Sequence, residues 1–439
     1  MTPTVPALRA EDEVVELCRD LIRIDSSNYG DHSGPGERRA AEYVAASLAE
    51  VGLDPVILES HPGRASVVAR LAGADPSRPA LLLHGHLDVV PAQAADWQVD
   101  PFSAEVRDGC IWGRGAVDMK DMDAMILSLV REFARTGTKP PRDLVLAFPA
   151  DEEAGGEWGA GFLVREHPQL FEGVSEAISE VGGFSVELAG RRAYLLQTAE
   201  KGIAWLRLVA HGRAGHGSQI NTDSAVTRLA AAVTRIGAHP WPIEVTPTVR
   251  AFLAGIEELT GVHLPVDDPD ALVATLGTTA RWVGATLQTT ANPTVLQAGY
   301  KHNVIPGEAS ALIDCRYLPG HTADDVRATI RDLAGEGIDV ETVTEAISLE
   351  VPFSGSLVDA MIAALQAEDP GCAVLPYCLS GGTDNKAFAE LGITGYGFAP
   401  LRLPADLDFS GMFHGVDERV PIESLLFGTR VLRRLVATS

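Results

Sequence analysis

Apolar residues change their spacing several times along this chain, and each change marks an element. Val14, Leu17, Leu21 and Ile24 recur at helical intervals, so residues 13–24 are expected to form an amphipathic helix. Short, nearly continuous apolar runs follow at 66–71, 80–86, 144–150 and 177–180. Runs of this kind suit strands buried on both faces. A helical pattern over 121–135 falls between them. The alternation predicts an α/β domain with a mostly parallel sheet, whose polar residues cluster just past the carboxyl ends of the strands.

Near Gln197 the pattern changes. Residues 203–210 alternate like a strand with one exposed face, and 221–236 read as a helix with Asn221 or Thr222 as its cap. A strand at 308–316, a helix at 323–334 and a strand at 339–344 come later. Two strand–helix units suit a small α+β domain of ferredoxin-like type. Residues 239–293 interrupt it with prolines and short apolar runs, and are expected to be an insertion of helices and loops. The α/β character returns with a helix at 356–367 and a strand at 393–398. The expected organisation is therefore a first domain made of 1–198 and 349–439, with a second domain, 199–348, inserted into it.

A chain of 439 residues is long for one core, which agrees with two domains. Its formal net charge of −25 argues against nucleic acid and against an anionic membrane surface as partners. No apolar run is long enough to cross a bilayer, and residues 1–9 lack the basic segment and apolar core of a secretory leader. The five cysteines are scattered without C-x-x-C spacing, which suggests reduced thiols and a cytoplasmic protein. A bridge between Cys372 and Cys378 stays open at this point.

Candidate chemistry begins at the end of the second apolar run. On a strand, His84, His86 and Asp88 would share one face. An imidazole beside a carboxylate is how a metal ligand and its orienting partner look, although two core histidines would look the same. Asp118 lies in a glycine-rich turn before a helix, where it could cap the helix or bind a cation. Asp151, Glu152 and Glu153 follow a buried strand, and three adjacent acids repel one another unless protons or cations intervene. Glu180 again ends an apolar run, and His414 lies near the C-terminus. Together His86, Asp118, Glu153, Glu180 and His414 make five N/O ligands with no cysteine among them. One carboxylate bridging two cations, with one His and one Glu on each, accounts for all five. Zinc suits such ligation, with cobalt or manganese as alternatives.

The ordered set HGHLDVVP, WGRGAVDMKD, DEEAGG, SEVGG, GRAGHGS, NVIP with DCR, SGGTD and the late His resembles the M20 family of metallopeptidases and amidohydrolases over nearly the whole chain. The resemblance implies that His86, Asp118 and Glu180 hold a first zinc, and that Asp118, Glu153 and His414 hold a second. It implies that Glu152 is the general base for a metal-bridging water, with Asp151 a lesser rival, and that Asp88 fixes the tautomer of His86. His216 would stabilise an oxyanion, reaching the partner's site in a homodimer built through the inserted lid. Asn303 and Arg316 would contact the substrate, Arg316 by gripping a carboxylate. One departure is Val181, which separates Glu180 from the glycines that often follow directly. A β-branched residue there restricts the backbone. The expected function is hydrolysis of an amide in a small molecule. The substrate is either an N-acyl amino acid or a peptide cut by a dipeptidase or carboxypeptidase. A non-catalytic binding protein on the same scaffold is the rival of a different class.

Overall fold

The computed structural model describes residues 8–31, 33–276 and 283–439. Most of the segment 1–9, and part of the 239–293 insertion, lie outside the described residues. The chain divides into two compact units. One comprises Met1–Gln197, Val351–Pro376 and Thr383–Ser439, and the other comprises Thr198–Glu350 and Tyr377–Gly382.

The sheet of the first unit contains β1 (Val56–His61), β2 (Arg64–Leu71), β3 (Ala80–His84), β4 (Leu144–Phe148), β5 (Val174–Ser179), β6 (Arg191–Glu200) and β7 (Thr394–Gly397). Their spatial order is β1-β2-β4-β3-β5-β7-β6. The central pairings β4–β3, β3–β5 and β5–β7 are parallel. The flanking pairings β1–β2, β2–β4 and β7–β6 are antiparallel. The sheet is thus mixed, with a parallel centre, rather than mostly parallel. Local chemistry accounts for one antiparallel edge. Pro62 and Gly63 join β1 to β2 directly, and Gly63 takes a φ of 86° that suits a tight turn.

Every residue of β3 and β4 is buried, as expected for strands covered on both faces. The helices Ala10–Ile22, Lys120–Thr136 and Ile422–Thr438 pack together. A separate cluster joins Leu82, Val145 and Ala177 of the sheet to Leu163 and Phe388 from the helices Ala160–Glu166 and Asn385–Ala389. Each such large apolar side chain contributes about 1.5–3 kcal/mol by leaving water.

The strand expected over 80–86 stops at His84. At Gly85 the backbone passes so close to the Lys120–Thr136 helix that a Cβ would lie 2.3 Å from Asp123 Oδ1. The chain stays extended beyond it, with Gly85 N–H donating to Ala147 O (3.1 Å) and Leu87 N–H to Pro149 O (2.9 Å). His86 and Asp88 thus lie beyond the regular strand, on extended backbone that keeps their side chains near each other, His86 Nδ1 being 3.5 Å from Asp88 Oδ1.

The second unit has a four-stranded antiparallel sheet in the order Thr290–Ala298, Glu308–Tyr317, Gly202–His211, Ile338–Ala346. Ala204, Leu206 and Leu208 pack with Leu229 and Ile236 of the helix Ala225–Gly237, and with Val326 and Ile330 of the helix Ala323–Ala334. The first of these helices is capped by Ser224, whose hydroxyl accepts from Thr227 N–H (3.4 Å), not by Asn221 or Thr222. Asn221 is occupied in the preceding turn, where it donates to Arg213 O and accepts from Asp223 N–H, both at 2.8 Å. The 239–293 region contains the helices Pro247–Thr260 and Pro269–Leu276, but its last residues open a strand. Pro293 and the exposed positions of that strand hid it from apolar patterning. All five cysteines are free, so Cys372 and Cys378 are not bridged.

Asp369 ties the helix Ser356–Glu368 to β6, accepting from Arg192 Nη1 (2.9 Å) and from the Tyr194 hydroxyl (2.8 Å). Burial pushes its carboxyl up, but the hydrogen bonds from Arg192 and Tyr194 outweigh burial and hold it below the usual 3.8. A depressed carboxyl stabilises the fold above its unfolded value, and that contribution is lost as pH falls through the lower folded value. Asp369→Asn should therefore lower unfolding free energy at pH 7 by about 1–2 kcal/mol. The gap to wild type should close as pH drops below 3.8 in chemical-denaturation curves.

Candidate metal centre

Five chain segments of the first unit bring acids and imidazoles together. His86 Nε2 lies 3.1 Å from Asp118 Oδ1 and 3.5 Å from Glu180 Oε2. His414 Nε2 lies 3.4 Å from Asp118 Oδ2 and 3.1 Å from Glu153 Oε2. Two triplets result, His86–Asp118–Glu180 and Asp118–Glu153–His414, and Asp118 belongs to both. Within each, one ligand atom per residue falls within 4.8 Å of the others. These are two candidate metal-binding clusters.

Each residue is held by its own backbone context. His86 follows β3, and its Nδ1 sits 2.9 Å from the main-chain carbonyl of Asp88 and 3.5 Å from that residue's carboxylate. The nearer partner is a carbonyl, so Nδ1 carries the proton and Nε2 faces the cluster. The Asp88 carboxylate is used elsewhere: it accepts from the amides of Glu152 and Glu153, both at 3.1 Å, and from Asn28 Nδ2 at 2.9 Å. Asp118 does not cap the following helix. Met119 is its N-cap residue, and no side chain makes the capping bond.

Asp151 takes a φ of 67°, in the left-handed region that Asp tolerates better than most residues. That turn starts the short helix carrying Glu152 and Glu153. Glu180 lies just beyond β5. Val181 after it has a φ of 51°, so the departure noted in the sequence is also a departure in conformation. At Gly182 the backbone passes so near Gly397 O that a Cβ would come within 2.0 Å.

The acids crowd one another, and their protonation reflects it. Burial would lower the pKa of His86, but the charge of Glu180 and the hydrogen bond to Asp118 raise it well above 6.5. Hydrogen bonds to Asp118 and Glu153 raise His414 to about 10. Burial and the charge of Asp118 raise Glu153 to about 7. Burial and the charge of Glu180 raise Glu152 well above the ordinary carboxyl value. Protonated imidazoles thus sit as counter-ions among carboxylates. A site of that charge suits divalent cations, which would displace those protons. The donor set of imidazole nitrogen and carboxylate oxygen fits zinc, cobalt or manganese.

Other sequence candidates fall outside the cluster. His84 is buried, its Nε2 is 2.9 Å from Asn385 Oδ1, and burial lowers its pKa to about 4, so it is a neutral core residue. His216, Asn303 and Arg316 belong to the second unit. His216 pairs with Val304 across a short ribbon, and Asn303 O accepts from Gly217 N–H (2.9 Å), so these two are neighbours on one exposed feature. Arg316 is paired with Asp314 (Nε to Oδ1, 2.7 Å), and its guanidinium lies 5.7 Å from the Trp205 ring centre.

Apolar patterning missed Glu418. It is fully buried and accepts from the amides of Val117 (2.7 Å), Asp118 (3.1 Å) and Gly115 (3.0 Å). It also pairs with Arg114 Nη1 (2.8 Å), whose Nη2 donates to Gly415 O (2.8 Å). One carboxylate thereby fixes the turn bearing Asp118 and ties it to the loop bearing His414. Its nearness to His414 in sequence was the only available signal.

Residues 82–438 match the sequence pattern of peptidase family M20/M25/M40. The chain is 28% identical over 449 residues to N-fatty-acyl-amino acid synthase/hydrolase PM20D1 of Xenopus tropicalis, covering 95% of this chain and 84% of that one. It is 27% identical over 445 residues to aminoacylase-1 of Sus scrofa, covering 97% and 95%. Its fold is similar to that of an M20 family metallo-carboxypeptidase, Sso-CP2, from Sulfolobus solfataricus, with a TM-score of 0.75 at 16% identity over 97% of this chain and 99% of that one. The matched span takes in all five residues of the two candidate clusters, and the chain belongs to peptidase family M20/M25/M40, as a metal-dependent hydrolase acting on amide bonds of peptides or acyl-amino acids.

Proposed function

We propose that the chain is a dinuclear zinc hydrolase that removes the acyl group from N-acyl amino acids. The observation that carries this reading is the pair of ligand triplets sharing Asp118. His86, Asp118 and Glu180 would hold one cation, and Asp118, Glu153 and His414 the other. Zinc is the first choice, with cobalt or manganese as alternatives. A bound pair would supply Lewis acidity, which acidifies water and polarises a carbonyl.

The chain's own residues do the rest. Glu152 is the general base: it takes a proton from the attacking water and passes it to the leaving nitrogen. Its burial beside Glu180 raises its carboxyl above the ordinary value, and a more basic carboxylate is a better acceptor for the water's proton. Asp88 positions it through the Glu152 amide, and Asp151, spent on other partners, is the weaker base candidate.

The inserted domain, 199–348, is read as a ferredoxin-like lid, supported by its four antiparallel strands and two covering helices. His216 would stabilise the oxyanion, and Asn303 beside it would contact the substrate. Arg316 would grip a substrate carboxylate only by sharing its guanidinium with Asp314. A homodimer through this domain is supported by its edge strand Thr290–Ala298, where Leu296 is 63% exposed. Free cysteines support a cytoplasmic location, and the net charge of −25 argues against nucleic acid. No described helix is long and apolar enough to cross a membrane.

The deacylase reading is supported by the relatives named N-fatty-acyl-amino acid synthase/hydrolase and aminoacylase-1, while a 29% identical relative named probable carboxypeptidase S-like 2, from Dictyostelium discoideum, supports the peptidase. The fold neighbour named a metallo-carboxypeptidase is more distant in sequence and keeps the peptidase as a second reading. Assayed side by side on zinc-loaded protein, N-acyl amino acids should be cleaved with higher kcat/KM than dipeptides, and the reverse order would transfer the assignment to the peptidase.

Glu152→Gln should leave metal content unchanged and reduce kcat by about 10²–10⁴-fold. Wild-type turnover in that variant would remove Glu152 as the base. Elemental analysis should find about two zinc equivalents per chain in wild type and about one in His414→Ala. A chain that retains no metal after gentle purification would favour the binding-protein alternative.

A further inference from the structure

Behind the acids lies a second set of buried groups that belong to neither ligand triplet. Asn28, Arg64 and Asp88 are at most 3% exposed, Asp151 is 1% exposed and Glu37 is fully buried. Asn28 is their junction. Its Nδ2 donates to Asp88 Oδ2 at 2.9 Å and to Asp151 Oδ1 at 3.1 Å. Its Oδ1 accepts from Arg64 Nη2 at 3.2 Å and from Gly30 N–H at 3.1 Å. Donors on one side and acceptors on the other fix the amide's orientation. Arg64 is anchored in turn by an ion pair with Glu37.

The two carboxylates under that amide hold one loop at both ends. Asp88 takes the amides of Glu152 and Glu153, while Asp151 Oδ2 takes the amide of Trp158 at 3.0 Å. The turn between is closed by its own backbone, with Gly155 N–H donating to Glu152 O (2.8 Å) and Gly156 N–H to Asp151 O (2.7 Å), and its far end is held by the Ser60 hydroxyl donating to Trp158 O (2.6 Å). Gly155 and Gly156 both adopt positive φ, and of the two glutamates it is Glu153 that braces the loop, its Oε1 accepting from Val90 N–H at 3.2 Å. Two buried carboxylates would also repel each other. A shared NH₂ that gives one hydrogen to each removes that cost, and no carboxylate or hydrocarbon could replace it.

We infer that Asn28 is a positioning residue: its amide bridges Asp88 and Asp151, and through them sets the place of the loop carrying Glu152 and Glu153. The inference rests on the proposed roles of those two glutamates, and its test reads the loop separately from the chemistry. Asn28→Ala leaves the two carboxylates facing each other without a donor. In metal-free protein, hydrogen exchange across residues 152–158 should quicken by about tenfold or more, while the buried strand β4 keeps its protection. In zinc titrations the second equivalent should bind about 10–100-fold more weakly, with the first little changed. At saturating zinc and substrate, kcat should fall about tenfold or more with KM nearly constant.

The decisive comparison is non-additivity. Because Asn28 acts through Glu152, Asn28→Ala combined with Glu152→Gln should be no slower than Glu152→Gln alone. Should Asn28→Ala not fold, Asn28→Ser keeps one donor and should show the same changes at smaller size. Unchanged loop exchange, or losses in kcat that multiply fully in the double variant, would overturn the positioning role. Full activity of Glu152→Gln by itself would instead overturn the assignment of the base, and the exchange and zinc titrations would still judge Asn28.

Discussion

The structure turns on one electrostatic constraint: several carboxylates must be buried side by side without flying apart. Asp118, Glu153 and Glu180 lie within reach of two imidazoles, and Glu152 is beside them. Coulomb repulsion in a low-dielectric setting far exceeds what surface charges feel. The molecule meets it in two layers. The inner acids share protons with His86 and His414, which a pair of cations would replace. The outer acids carry no cation and are satisfied by the backbone. Glu418 takes three amides and an arginine, and Asp88 takes two amides and the Asn28 side chain. Peptide N–H groups are suited to this task because they are already fixed in place and carry partial positive charge without needing to be neutralised.

That division explains what apolar patterning and motif order could reach. The central strands were legible because β3 and β4 are buried throughout and β5 over its second half, and their limits differ from expectation by only a few residues. The five candidate ligands, which the structure gathers into two clusters, were legible because each lies in a polar turn beside an apolar run and its residue type suits a cation. The outer layer was not. Asn28 lies in a polar segment with no periodicity, and its partners are 60 and 123 residues away. Glu418 contacts amides about 300 residues upstream. A backbone amide leaves no mark on residue type, so nothing local announces that a carboxylate will find one. The same reasoning covers the sheet edges. Parallel and antiparallel neighbours are set by long-range pairing, and even the short β1–β2 hairpin was not read from the apolar pattern.

The two halves of the cluster are not equivalent, and burial shows how. The side chain of His86 is 1% exposed, whereas that of His414 is 59% exposed. His86 sits between β3 and a helix that is buried almost from end to end, so it has no room to leave. His414 adopts a φ of 58° on a loop before the final short strand, and its hold on that place passes through Arg114 and Glu418. A ligand on a solvent-facing loop can move aside to admit a cation or a substrate, while one locked in the core sets a fixed reference. Asp118 joins the rigid side to the open one. Its backbone amide is held by Glu418, which fixes the turn from which the shared carboxylate projects. Glu418 and Asp88 therefore hold the candidate site in place although neither belongs to a ligand triplet. Removing either carboxylate would strand buried N–H donors, at about 1–3 kcal/mol each, in the turn that the site can least spare.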